Sequence, residues 1–305
     1  MDNPPVVVSI AEQFARMNEK LPYLGMERLF GYLSCFGGFE KEMEFDYFED
    51  LEKSVERIFV DEYHRTRALI SPTYILEAPY RDILMAIAGG DGRMMSVFRK
   101  TGIGETVGGK IVNTLEKAGI VCVESSREVV PRRVGKMHLK KEFRGYRAQP
   151  KIRFVSPFVR FWFAFVEPDA KNLHRGLGER FMKRYITHRD RVESLIFEQL
   201  SDALLRSRLS SSDPVVDSGA FWEKKNEFDI YCFTKSGKVI LGECKFKGRR
   251  ICLGELAKLQ EKARQSGLSP DIYAFFSRSG FSGEMLEEKS DRLLLFGMDD
   301  FRELL

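Results

Sequence analysis

Two short runs limit what this chain can fold into: Asn226-Glu227-Phe228-Asp229-Ile230 and Leu241-Gly242-Glu243-Cys244-Lys245-Phe246. Strand side chains alternate faces, so Glu227 and Asp229 share a face of the first run, and Glu243 and Lys245 share one of the second. Ser236-Gly237-Lys238 reads as the hairpin turn between them, with glycine free to take positive φ. An antiparallel register that sets Asp229 opposite Glu243 or Lys245 gathers two carboxylates and an ammonium into one patch. Such a patch suits a hard cation. Magnesium takes one or two carboxylates, keeps several waters and leaves room for phosphate oxygens, while a neighbouring lysine positions or deprotonates water. A solvated hairpin face with Asp229 or Glu243 paired to Lys245 gives the same pattern and contributes little. Ile230, Phe233, Val239, Ile240, Leu241 and Phe246 weigh against that alternative, because charges on a buried strand pair are costly unless paired or metal-bound.

The flanks extend the pattern. Residues from Arg191 through Leu205 carry apolar side chains at helical spacing, with Glu198 beside the stripe. Val215-Val216 and Ala220-Phe221-Trp222 read as a strand before the hairpin. Leu253, Leu256, Leu259 and Ala263 mark a helix ending near Gly267, with Pro270 beyond. Ile272–Phe276 is a strand, Ser282 caps another helix, and Leu293–Phe296 is a further strand. The order is helix, three strands, helix, strand, helix, strand.

That order, with Glu198, Asp229 and Glu243-Cys244-Lys245, resembles the PD-(D/E)XK nuclease superfamily. More narrowly, Phe161-Trp162-Phe163, Phe197-Glu198, Glu227-Phe228-Asp229 and Gly242-Glu243-Cys244-Lys245 resemble the uncharacterised C-terminal region of archaeal-type DEXX-box ATPases. The resemblance implies that Asp229 and Glu243 are metal ligands, with the Cys244 carbonyl as a third. It implies that Lys245 orients or activates water, that Glu198 is an accessory carboxylate, and that the metal is magnesium, with manganese as a substitute. Gln260 falls where related nucleases place a polar residue. Phe228 stands where the superfamily has proline, a departure that does not touch the ligands.

Composition places these features in a chain of 305 residues, 43% hydrophobic, enough for two or three modules. The most apolar run, Phe154 to Val166, is broken by Pro157 and Arg160 and is too short to cross a bilayer; it reads as core packing. Met1-Asp2-Asn3-Pro4-Pro5 lacks a secretory pattern, so a cytoplasmic location is expected. Five scattered cysteines without CxxC spacing argue against a disulfide framework and a zinc site. His64, His138, His174 and His188 read as ordinary surface or packing residues. Net charge is only +4, and its distribution says more. Arg132, Arg133, Lys136, Lys140, Lys141, Arg144 and Arg147 run together, with Phe143 and Tyr146 among them. Such a run suits a phosphate backbone with aromatics for stacking; a solvated basic linker would look the same.

Upstream, Tyr80–Ala88, a short helix through Phe98, and a third helix with Val107, Ile111, Leu115 and Ala118 on one face precede a β-ribbon wing. These resemble a winged helix-turn-helix. Lys110, Asn113 and Thr114 supply polar groups for nucleic acid on the third helix, but Gly108 and Gly109 favour generic backbone contact over base reading. Gly104-Glu105-Thr106-Val107-Gly108-Gly109-Lys110 mimics a P-loop, yet Ile111 replaces the magnesium-binding serine or threonine. Glu12 to Ser71 reads as mainly helical, with a break at Ser34–Phe39.

The expected architecture is mixed α/β: a helical lid-like region at 1–75, a winged helix at 76–155 and a restriction-endonuclease-like domain at 156–305. The expected function is magnesium-dependent hydrolysis of DNA, with the winged helix docking the duplex. The resemblance also implies a P-loop ATPase partner acting in trans, because the ATPase core of that family is not in this sequence. A catalytically silent DNA-binding or regulatory scaffold and a winged-helix transcriptional regulator are the competing readings.

Overall fold

Local sequence starts the helices. In this computed structural model, which describes residues 8–128 and 148–305, α1 (Ile10–Lys20) begins with a reciprocal cap. The Glu12 amide donates to Ser9 Oγ at 3.2 Å and the Ser9 amide donates to Glu12 Oε2 at 2.8 Å. α2 (Met26–Phe36) ends inside the expected break, at Gly37-Gly38. Gly37 lies too close to the Leu33 carbonyl and the Pro157 ring to carry a side chain, and Gly38 takes φ +87°. α3 (Leu51–Glu56), a π-helical turn at Arg57–Asp61 and α4 (Tyr63–Ala68) complete the N-terminal helical region.

Three helices, α5 (Tyr80–Ala88), α6 (Met94–Thr101) and α7 (Glu105–Lys117), precede an antiparallel ribbon of β1 (Val121–Glu124) and β2 (Lys151–Phe154). This is the helix and ribbon order expected of the winged helix. The inner face of α7 is Gly108, Ile111, Val112 and Leu115, and Val107 is exposed. The expected phase ran through the branched residues, whereas the close contact is made by glycine: a Cβ on Gly108 would lie 2.5 Å from the Phe98 ring. The P-loop-like run is helical from Glu105 onward and forms no loop around a phosphate.

The chain then forms α8 (Pro157–Phe161), a π-helical turn at Trp162–Val166, α9 (Ala170–Leu173), α10 (Glu179–His188) and α11 (Asp190–Leu209). Packing divides the described residues into two compact units: 8–124, 151–203 and 301–305 in the first, and 125–128, 148–150 and 204–300 in the second. Aromatic packing holds the first unit together: Phe59 stacks on Phe36, Phe158 and Phe161, and Phe30 meets Phe197 and Phe301. The run from Phe158 to Val166 is core, as expected, but it is the core of the helical unit. Trp162 is fully buried and donates its indole N–H to Glu167 Oε2 at 2.9 Å.

The second unit is a five-stranded mixed sheet in the order β3 (Val215–Trp222), β4 (Glu227–Thr234), β5 (Val239–Lys245), β6 (Ile272–Ser277) and β7 (Leu293–Phe296). β3, β4 and β5 are antiparallel neighbours, and β5, β6 and β7 are parallel ones. Parallel neighbours need crossovers, which α12 (Leu253–Gln265) and α13 (Gly283–Glu287) provide. Ser282 caps α13 as expected. Leu259 and Ala263 of α12 and Met285 of α13 pack on Tyr231, Leu241, Phe275 and Leu295 of the sheet. Ser126 and Arg127 are tied to the first strand: the Arg127 amide donates to the Ala220 carbonyl at 3.2 Å, and the Trp222 amide donates to Ser126 Oγ at 2.8 Å. The whole is the mixed α/β class expected, with an N-terminal helical region and the strand order read from sequence. Among the described residues no helix is long and apolar enough to cross a membrane.

The α6–α7 contact predicts opposite effects at adjacent glycines. Gly108→Ala should destabilise the protein by about 1–3 kcal/mol through overpacking against Phe98. Gly109→Ala, with nothing within 4 Å of its Cβ, should stabilise it by about 0.4–1 kcal/mol. Urea unfolding midpoints of the two variants check this.

Candidate functional site

The β4–β5 hairpin builds the site from its turn upward. Gly237 takes φ +86°, and Asp213 fastens the turn by accepting hydrogen bonds from the Ser236 amide and from the Thr234 and Ser236 hydroxyls. The ladder then runs Phe233 with Val239, Cys232 with Ile240, Tyr231 with Leu241 and Ile230 with Gly242. A Cβ on Gly242 would lie 2.9 Å from Ile230 Cβ, so the bulk of Ile230 is accommodated by the absence of a side chain opposite. The ladder ends there, and Asp229 and Glu243, the next residue of each strand, alternate onto the face that carries Tyr231 and Leu241. Asp229, Glu243 and Lys245 are therefore brought to one face, as the sequence pattern anticipates.

Each carboxylate is held. The Cys244 amide donates to Asp229 Oδ2 at 2.7 Å. Lys245 Nζ donates to Glu243 Oε1 at 2.5 Å, and Lys262 Nζ, from α12, lies 3.4 Å from Glu243 Oε2. The Glu243 side chain is only 13% exposed. Burial pulls the Lys245 pKa down, but the Glu243 hydrogen bond and the charges of Glu243, Asp229 and Glu255 outweigh it, and the net displacement is upward. Cys244 contacts the Asp229 side chain through its N–H.

Lys262 is the residue the sequence reading missed. Leu259 and Ala263 point α12 at the sheet, and Lys262 flanks that stripe, with its ammonium 5.0 Å from the Phe228 ring centroid. Gln260 is exposed. A charged residue three positions from an inward leucine was the available signal.

Glu198 lies on α11 in the helical unit, half-buried. Burial pushes the pKa of Arg160 down to about 10, with Arg153 acting the same way and the Glu198 charge opposing both. Glu198 thus has an electrostatic role among the arginines of its own unit. Lys110 is exposed on the outer face of α7. Arg132, Arg133, Lys136, Lys140, Lys141, Arg144 and Arg147 lie outside the described residues. His64 and His174, expected to be surface or packing residues, meet edge to face at 4.8 Å on the surface of the helical unit.

Among the described residues no group of three or more His, Cys, Asp or Glu side chains that could hold a metal ion is present. Two neighbouring carboxylates fit magnesium, which completes its octahedron with water and substrate oxygens.

Comparison with known proteins adds a family without a function. Residues 162–263 match the model of DUF234, described as archaea bacterial proteins of unknown function. The matched segment, less than half of the chain, contains Glu198, Asp229, Glu243, Lys245 and Lys262. No curated protein matches the chain. A solved structure of Thermococcus gammatolerans McrB AAA+ hexamers with bound McrC aligns with 97% of this chain and 75% of that one, at 13% identity and a TM-score of 0.25. A score that low supports no shared fold.

The charge pairing predicts coupling within the hairpin. Glu243→Gln and Lys245→Met should each destabilise the protein, and the double variant should lose less than the sum by about 0.5–3 kcal/mol. A double-mutant cycle in denaturant, with chelator present, measures it.

Proposed function

We propose that this chain hydrolyses phosphodiester bonds of DNA at the Asp229–Glu243–Lys245 face, with a divalent cation, magnesium in the first place. The observation that supports the reading is the β4–β5 register up to Ile230 and Gly242, with the Cys244 amide donating to Asp229 and Lys245 bonded to Glu243 just beyond it. The order of helices and strands around the hairpin supports a PD-(D/E)XK-like arrangement. The match to a family of unknown function is compatible with it.

Hydrolysis adds water across a P–O bond: the water oxygen bonds to phosphorus, the ester oxygen departs, and protons move from the water to bulk and to the leaving oxygen. Charge accumulates on the non-bridging oxygens and must be neutralised there. Bound between the carboxylates, magnesium would supply Lewis-acid stabilisation and lower the pKa of its water. Asp229, oriented by the Cys244 amide, and Glu243 would hold it. Lys245 lies two residues along the same face and would donate to a phosphate oxygen or to the attacking water once Glu243 turns to the cation. Lys262 would then be released toward the phosphate as a second positive charge. The winged-helix order of α5 to β2, with Lys110 on the exposed face of α7, supports a duplex-docking role.

An ATPase acting in trans belongs to the same proposal. Full activity without ATP, together with purification free of any P-loop protein, would remove that partner.

Cleavage of supercoiled plasmid, linear duplex and single-stranded DNA tests the reading. With magnesium or manganese the wild type should cut, and chelator should stop it. Asp229→Asn, Glu243→Gln and Lys245→Met should each reduce the rate by about 100-fold or more, while Glu198→Gln separates an accessory role from one confined to the Arg160 cluster. Intact DNA in every metal, with binding preserved, would leave the scaffold reading instead.

A further inference from the structure

The parallel half of the sheet ends in a basic rim of which the hydrolysis reading uses only Lys245. β5 and β6 finish side by side at Lys245 and Ser277. Their following loops are tied together, with the Ile251 amide donating to the Gly280 carbonyl and the Arg278 amide to the Lys245 carbonyl. Ligands of open α/β sheets gather outside the carboxyl ends of parallel strands. Here that end is a shallow pocket lined by Lys245, Lys247, Arg249, Arg250, Ile251 and Glu255. Lys247, Arg249 and Arg250 are exposed. The Arg278 guanidinium lies 4.6 Å from the centroid of the Phe246 ring, beside the pocket.

Glu255 is the sole acid lining this pocket. Its carboxylate lies 2.8 Å from Lys258, 3.6 Å from Arg249 and 4.0 Å from Lys245. Neither Lys247 nor Arg250 has an ion-pair partner among the described residues. The arrangement is an excess of cations gathered around one carboxylate, next to the face that carries Glu243.

We propose that the loop Lys247–Arg250 is a binding site for the phosphodiester backbone of a nucleic acid, and that Glu255 occupies Arg249 when the nucleic acid is absent. A phosphate entering the pocket takes over Arg249 from Glu255 and adds Lys247 and Arg250. Arginine and lysine contribute differently to such a site, since the guanidinium presents a planar fork to two phosphate oxygens and the ammonium acts as a point charge. Because the pocket adjoins Lys245, a strand held there has a phosphate delivered to the Asp229–Glu243 face. A chain of phosphates fits a row of spaced cations better than a single small anion does, and it releases counterions as it binds. The inference rests on the phosphodiester reading for its substrate class, but its test does not need turnover.

The experiment is fluorescence anisotropy of a labelled DNA duplex with the full chain in chelator, from about 50 to 200 mM salt. The triple variant Lys247→Ala, Arg249→Ala, Arg250→Ala should bind roughly ten- to a hundredfold more weakly, with the slope of log K against log salt reduced by about 2 to 3. Glu255→Gln should bind more tightly, since it removes the competing charge. Circular dichroism melts of both variants establish folding. Undiminished binding by the triple variant, or unchanged or weaker binding by Glu255→Gln, would overturn the proposal. So would loss of affinity only for phosphatidylglycerol vesicles, which would assign the rim to a lipid surface. A protein that binds through the rim yet never cuts would remove the nuclease reading and leave this inference standing; a nuclease indifferent to the rim would do the reverse.

Discussion

A slip of β5 by one residue against β4 would exchange the two faces of the hairpin, sending Glu243 and Lys245 to one side of the sheet and leaving Asp229 on the other. The contact that resists this slip is Ile230 against Gly242, where any side chain on the glycine would collide with Ile230 Cβ. Asp213 resists it from the far end by fixing the length and shape of the turn. Everything proposed for the carboxylate pair depends on these two constraints, neither of which involves a charged residue of the site. The hydrogen bond from the Cys244 amide to Asp229 then sets the first carboxylate, and the two ammonium groups set the second.

Much of this was legible in the chain because strand periodicity is short and exact. Alternation alone put Asp229, Glu243 and Lys245 on common faces, and the turn residues at Ser236-Gly237 closed the hairpin. Helical phase was less legible. On α7 the branched residues suggested an inner face through Val107, but a helix can approach its neighbour most closely where it carries glycine, and Gly108 took that role against Phe98. Lys262 escaped because a side chain flanking a buried stripe finds its partner only when the helix is placed over the sheet. Nor could the sequence say which core the aromatic run from Phe158 to Val166 would join. Its rings complete a cluster begun by Phe36 and Phe59.

Charge on the sheet unit is arranged by neutralisation. Glu243 is set between two lysines, and Glu255 among two lysines and an arginine. Both carboxylates offset like-charge repulsion while their cations are unclaimed, and an anionic ligand can take those cations over. A protein with a net charge of only +4 can in this way present a locally strong positive field without carrying a strongly basic surface everywhere.

The two tryptophans of the chain fall one to each compact unit. Trp162 sits in the aromatic core of the helices, bonded to Glu167, and Trp222 ends β3, with its indole N–H held by the Gln149 carbonyl. Each is almost wholly buried. The protein therefore carries its own pair of optical reporters, one for each core. Replacing either indole by phenylalanine leaves a single emitter whose spectrum follows the loosening of one unit while the other is silent.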